Sequence, residues 1–164
     1  MTTSRRTTLA AAAGLSLAGF AARAQNAGDC GGMPREQYLR YLQLFNDNDW
    51  RFLDFYHPNV VLELGERDIR GVDGIRELYT GVKQHIRETA ELTQYIADAD
   101  GIAVEIPTTF ECIVDWEDSF WGRPLRRGEV LRIVSLGLYK VENGVFTHIK
   151  TARSRQINDW QMEA

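Results

Sequence analysis

Apolar residues recur at Tyr38, Tyr41, Leu42 and Phe45, the i, i+3, i+4, i+7 spacing of one helix face. They predict a helix from Arg35 to about Asn46, with Pro34 suited to its first turn. The polar run Asn46-Asp47-Asn48-Asp49 breaks it, and Asp49 can cap a second, short helix over Trp50–Tyr56. His57-Pro58 ends that helix, because the residue before proline is pushed out of the α region. Val60, Leu62 and Leu64 then alternate with Val61 and Glu63, the period of a strand. Helical spacing returns at Ile75, Leu78, Tyr79, Val82 and Ile86. Beyond it the chain reads as strands: Thr89–Ala97, a turn at Asp98–Gly101, then Ile102–Trp116 with mostly apolar even positions. Pro107 falls in the middle of that run and predicts a bulge or bend.

Phe120–Ile149 reads as a long hairpin turning at Glu142-Asn143-Gly144, since Asn-Gly between apolar runs is a strong hairpin signal. Its first arm, residues 129–141, has few polar breaks and is expected to be covered on both faces; its second arm ends near Gln156. Helix, helix, strand, helix and four strands make an α+β fold. The expected form is a strongly curved antiparallel sheet wrapped around the N-terminal helices, a cone with an interior pocket of the kind small ligands favour.

The N-terminus has a different pattern. Ser4-Arg5-Arg6-Thr7-Thr8-Leu9, an Ala/Gly-rich run to Ala22 and the small-x-small site Ala22-Arg23-Ala24 predict a twin-arginine signal peptide over residues 1–24. The run is shorter than the ~20 residues of a membrane span. The expected organisation is a lead-in over 25–33, one domain over 34–157 and a tail over 158–164, in a periplasmic or secreted protein. Losing Arg5, Arg6 and Arg23 takes the formal net charge from −4 to −7, a poor match to nucleic acid or, once the signal is cleaved, to an anionic membrane.

Cys30 and Cys112 are the only cysteines, and two free thiols with Cys112 buried is the simpler reading, although an oxidising compartment permits a disulfide. His57, His85 and His148 match no metal-binding spacing, so no metal is expected, and the chemistry expected below is cofactor-independent.

Several short motifs carry a family resemblance: Phe45-Asn46-Asp47-x-Asp49-Trp50, Phe55-Tyr56-x-Pro58-x-Val60, Gly71-Val72-Asp73-Gly74-Ile75, Phe120-x-Gly122-x-Pro124 and Asn143-Gly144-x-Phe146. In order and spacing, from about Pro34 to Arg155, the chain resembles the SnoaL-like branch of the nuclear transport factor 2-like superfamily. That group includes cyclases, isomerases, dehydratases, epoxide hydrolases and binding proteins, so the resemblance implies the fold and leaves the chemistry open. Against the ketosteroid isomerases it implies Tyr41 as oxyanion donor and Glu63 as proton shuttle. The late-strand acid of those enzymes falls near Gly137, which has no side chain to offer. The polyketide cyclase histidine falls at Trp116, the scytalone dehydratase Tyr and Asp at Phe45 and Asn46, and the epoxide hydrolase Asp-Arg-Asp set is not supplied. The resemblance also implies a homodimer through the sheet.

The expected activity is acid–base chemistry on a small apolar carbonyl or hydroxyl compound, of isomerase, cyclase or dehydratase type, with Glu63 and Tyr41 catalytic. Phe45, Asn46, Trp116, Tyr139 and His148 are the candidate substrate-binding residues. Four of them have a bland alternative: Glu63 a solvent-facing strand residue, Tyr41 a core tyrosine, Trp116 packing, His148 a surface or packed histidine. Arg123, Arg126 and Arg127 are a solvated turn or a clamp for an acidic group. The rival to an enzyme is a non-catalytic module that binds a hydrophobic metabolite or dimerises.

Overall fold

A computed structural model describes residues 32–163; the expected leader, its cleavage site and Cys30 lie outside them. Helix α1 (Arg35–Asn46) is followed by a 3-10 helix (Trp50–Phe55), whose start is capped by the Asp49 carboxylate accepting from the Arg51 N–H. Then come β1 (Tyr56–Leu64), β2 (Arg67–Arg70), α2 (Gly71–His85), β3 (Ile86–Ala90), β4 (Gln94–Ala97), β5 (Gly101–Cys112), β6 (Glu129–Glu142), β7 (Val145–Gln156) and the short β8 (Gln161–Met162). The α+β architecture is as expected: a strongly curved half-barrel sheet with the N-terminal helices against its concave side.

The sheet runs β2-β1-β7-β6-β5-β3, with β4 continuing the β3 edge along β5 and β8 pairing with β6. Its pairings are antiparallel except one. β1 lies parallel to β7, so the sheet is mixed where a purely antiparallel one was expected. The β6–β7 turn is the expected tight hairpin, with Asn143 and Gly144 at φ 52° and 78°. Gln37 of α1 holds this turn by donating from Nε2 to the Gly144 carbonyl at 3.0 Å.

Pro107 causes no bulge in β5, whose register against β6 is continuous through it. The interruption falls on the neighbouring edge, where β3 and β4 are separated by Glu91-Leu92-Thr93. The Pro107 carbonyl accepts from Glu91 N–H on that side at 2.9 Å. In an antiparallel strand a residue's N–H and C=O share a side, so the proline's missing donor faces the gap and costs no ladder bond.

β5 ends at Cys112, short of the expected Trp116. The Ile113 N–H turns to the His85 carbonyl instead, at 2.8 Å, and Trp116 keeps one isolated bridge, to Leu125. The segments flanking the domain are also engaged. Met33 is buried and its carbonyl accepts from the Tyr95 hydroxyl, while Trp160, in the expected tail, is buried beside Trp121. Cys112 is a buried thiol, with Sγ donating to the Val114 carbonyl.

Two apolar cores result. The larger joins α1 and the narrow end of the sheet through Tyr38, Tyr41, Phe52, Tyr56, Tyr139 and Phe146. The smaller gathers Val82, Ile86, Leu125, Leu131 and Trp160 under the long loop between β5 and β6. Leu78 and Tyr79 of α2 pack against both.

Gly137 explains how the narrow end closes. The Tyr139 ring folds back over it, and a Cβ placed there would lie 2.6 Å from the ring and 3.1 Å from Val104. Gly137→Ala should lower the unfolding free energy by about 1–3 kcal/mol through overpacking, read from the urea midpoint. An unchanged midpoint would show that the ring can move aside at no cost.

Candidate functional site

Between the two cores lies a cavity in two lobes, of about 150 and 180 Å³. Leu64, Tyr79, Glu88, Phe110 and Ile133 line both, so the lobes adjoin. One reaches Tyr41 and Phe45, the other Phe120, Trp121 and Arg153. Together they sit at the lower end of the ~300–1,000 Å³ typical of small-molecule pockets.

Glu88 is the unusual residue here. On β3 it shares a face with Ile86 and Ala90, both buried, and it stands opposite Phe110 on β5. Protein encloses its carboxyl except toward the cavity it lines, and it makes no hydrogen bond or ion pair among the described residues. Burial raises its pKa from 4.5 to about 7, against a smaller opposing pull from the Lys83 ammonium. A carboxylate without donors in an apolar wall must give up hydration for nothing, and this favours the protonated form.

The neighbouring polar groups are mostly tyrosines. Tyr79 lines both lobes, its hydroxyl has no hydrogen-bond partner among the described residues, and burial raises its pKa well above the usual value. The Tyr41 and Tyr56 hydroxyls bond each other at 2.8 Å, which occupies one of their two protons and leaves the other O–H to donate. Lys83 donates to the Phe45 carbonyl at 3.0 Å and to Asn48 Oδ1 at 2.7 Å, with its ammonium 4.2 Å from the Phe45 ring centre. It therefore stabilises the site as a nearby positive charge without neutralising Glu88 directly.

The residues expected to act together are separated by the sheet. Tyr41, Phe45 and Tyr139 line the cavity. Glu63 faces the opposite side, because the alternation that turns Val60 and Leu62 inward turns Glu63 out. There it meets His148 Nε2 at 2.7 Å and Lys150 Nζ at 3.1 Å, beside a separate outer groove that His148 and Lys150 line. Hydrogen bonds from Lys150 and His148 hold its pKa below the ordinary value, the reverse of what a proton shuttle near neutral pH needs. The expected Tyr41–Glu63 pair is therefore not assembled, and His148 does not reach the interior cavity.

Asn46 is a fastener. Its side chain donates to the Ala90 carbonyl and accepts from the Ala90 N–H, both at 2.9 Å, capping the open edge of β3 two residues from Glu88. Trp116 stacks on His85 at 4.7 Å, behind Phe120 and Trp121, which do line the cavity. Arg126 is bound to Glu117 and Asp115, and Arg123 to Glu129, so these two arginines brace their loop.

Glu88 falls outside the expected site because the helical spacing extends through Ile86 and the expected strand begins at Thr89. Ile86-x-Glu88-x-Ala90, a carboxylate at an inward position between apolar neighbours, was the available signal.

Residues 38–149 match the SnoaL-like domain family. The chain belongs to that family. Among solved structures it is similar to a proposed polyketide cyclase from Xanthomonas campestris (16% identity, TM-score 0.61, covering 71% of this chain and 86% of that one). It is also similar to one from Silicibacter (16%, TM-score 0.62, 73% and 87%). A third similar structure is an LEH-like epoxide hydrolase from M. tuberculosis (13%, TM-score 0.59, 73% and 80%). At these identities they show the nuclear transport factor 2-like fold. No curated protein matches the chain.

The raised pKa of Glu88 has a sign that stability measurements can read. Between pH 4.5 and about 7 the folded state holds a proton that the unfolded state has released, so stability falls as pH rises across that window. Glu88→Gln removes the effect. The variant should exceed the wild type in stability at pH 8 by up to about 3 kcal/mol, with the gap narrowing toward pH 4.5 in matched urea titrations.

Proposed function

We propose that this SnoaL-like protein is a cofactor-independent acid–base enzyme that moves a proton next to a carbonyl, with Glu88 as the proton carrier. The observation that supports it most is a carboxyl buried in the wall of an apolar cavity with no partner among the described residues, where burial pushes its pKa up to about 7. A general base works best when its pKa lies near the operating pH. As carboxylate, Glu88 takes a proton from the carbon beside a ketone. The C–H bond breaks, an O–H bond forms on Glu88, and the electron pair moves to the carbonyl oxygen. In this reading the Tyr79 hydroxyl and the spare O–H of the Tyr41–Tyr56 pair donate to that oxygen, supported by Tyr41 and Tyr79 both lining the cavity. Returning the proton to a different carbon gives an isomerase; attack of the enolate on a second carbonyl gives a cyclase.

The rival, a non-catalytic binding module, is favoured by the filled late-strand position, where the Tyr139 ring occupies the space over Gly137. Deuterium exchange at the α-carbon of 1-tetralone and 2-tetralone, followed by NMR, separates the two. Wild type should accelerate exchange, with a rate that rises with pH through about 7 as Glu88 ionises. Glu88→Gln should cut the acceleration at least ~100-fold, the usual worth of a general base, and Glu63→Gln should leave it unchanged. Saturable binding of both ketones without exchange would establish the binding module instead.

The proposal includes a homodimer through the outer sheet face, where Ile96, Leu136 and Leu138 are 69%, 48% and 58% exposed. Leu138→Lys should convert a dimer into a monomer by light scattering. Export to the periplasm or medium rests on the N-terminal pattern alone.

A further inference from the structure

The lobe that reaches Trp121 carries an arginine with no acidic partner among the described residues. Arg153 lines it, and the one hydrogen bond its guanidinium makes among the described residues is to the Gln156 side-chain oxygen, at 2.8 Å. Arg67 lies at the same end of the sheet. The register sets Leu64 beside both Arg67 and Thr151, two residues before Arg153. The Arg67 guanidinium sits 5.7 Å from the Phe120 ring centre, and Phe120 in turn lines the lobe. The contrast with Arg123 and Arg126 is chemical. Those two are held by carboxylates of their own loop, whereas the fork of Arg153 remains available at the cavity edge. On a chain of net charge −4, which repels anions at long range, a basic cavity edge is a local exception.

The shape of the cavity adds a second, independent constraint. Each lobe, about 150 or 180 Å³, is close to the size of an apolar cavity that accepts one benzene ring, ~150 Å³. Phe120 and Trp121 stack on each other at 3.8 Å with 24° between planes, and both present to the lobe beside Arg153. A flat ring packs well against such a wall.

We propose that the ligand is a two-ring, flat, carboxylate-bearing compound: one ring in each lobe, and the carboxylate in bidentate contact with Arg153 at the cavity edge. Arg153 is thus the residue that selects an acidic substrate over a neutral one of the same shape. This rests on the reading above only in placing the reacting ring beside Glu88. The acid preference does not require catalysis.

The test compares 2-naphthoate with 2-naphthamide, isosteric and differing in charge, by calorimetry and tryptophan fluorescence on the full chain. Wild type should bind naphthoate at least tenfold more tightly than the amide. Arg153→Met, which keeps the aliphatic stem, should abolish that preference while changing amide affinity less than twofold, and Arg153→Lys should restore part of it. Glu88→Gln should preserve the preference, so loss of proton exchange and loss of acid selectivity are read separately. Equal affinity of wild type for the two probes, or a preference that survives Arg153→Met, would overturn the proposal.

Discussion

The ring of Tyr139, laid back over Gly137 with its hydroxyl accepting from Tyr38 at 3.1 Å, ties α1 to the middle of the sheet. Much of the interior follows from that contact. Tyr38, Tyr41, Phe146 and Tyr139 pack edge to face or tilted around it, with neighbouring ring centres 4.9–6.2 Å apart, and fill the narrow end of the cone. A cone closed there can be hollow only toward its wide end. The open volume accordingly lies between the tyrosine-rich core and the tryptophan-rich one, against β3 and β5.

That displacement changes which residues can do chemistry. In the arrangement implied by the ketosteroid isomerases, acids approach from β1 and from the late strand. Here the late position has no side chain and the β1 carboxylate is turned away, while β3 supplies Glu88. Among the described residues the sheet edge carrying Glu88 has no further strand beyond it, and Asn46 completes that edge with two hydrogen bonds to Ala90. The carboxyl is thus held by an element fastened two residues away and is not itself engaged, which leaves it free to take or give a proton. Holding it unpaired is unfavourable above its pKa, a cost the two cores on either side must offset.

The outer face has the opposite character. Glu63, His148 and Lys150 satisfy one another there, and their mutual stabilisation keeps Glu63 ionised. Two carboxylates on strands of one sheet are thus driven to opposite protonation behaviour by their surroundings, one by hydrogen bonds from Lys150 and His148 and the other by burial.

Much of the fold was written locally. The periods of α1 and α2, the Asn143-Gly144 turn and the alternation of β5 need only nearest-neighbour geometry, and short motifs carried the family; β6, expected to be covered on both faces, instead exposes Leu136 and Leu138 on its outer one. Strand ends were less legible. Pro107 signalled a break but not that the break belongs to the neighbouring edge, and the β1–β7 pairing, between residues far apart in the chain, has no local signature. For the site, the sequence by itself established that Glu63 alternates with Val60, Leu62 and Leu64, and that Gly137 offers no acid. Only the tertiary structure decided which face of β1 is interior, where the cone is filled, and that Glu88 is buried without a hydrogen-bond partner among the described residues while Glu63 meets Lys150 and His148. A carboxyl's protonation depends on the groups that surround it in space, and those groups come from strands and helices the sequence keeps apart.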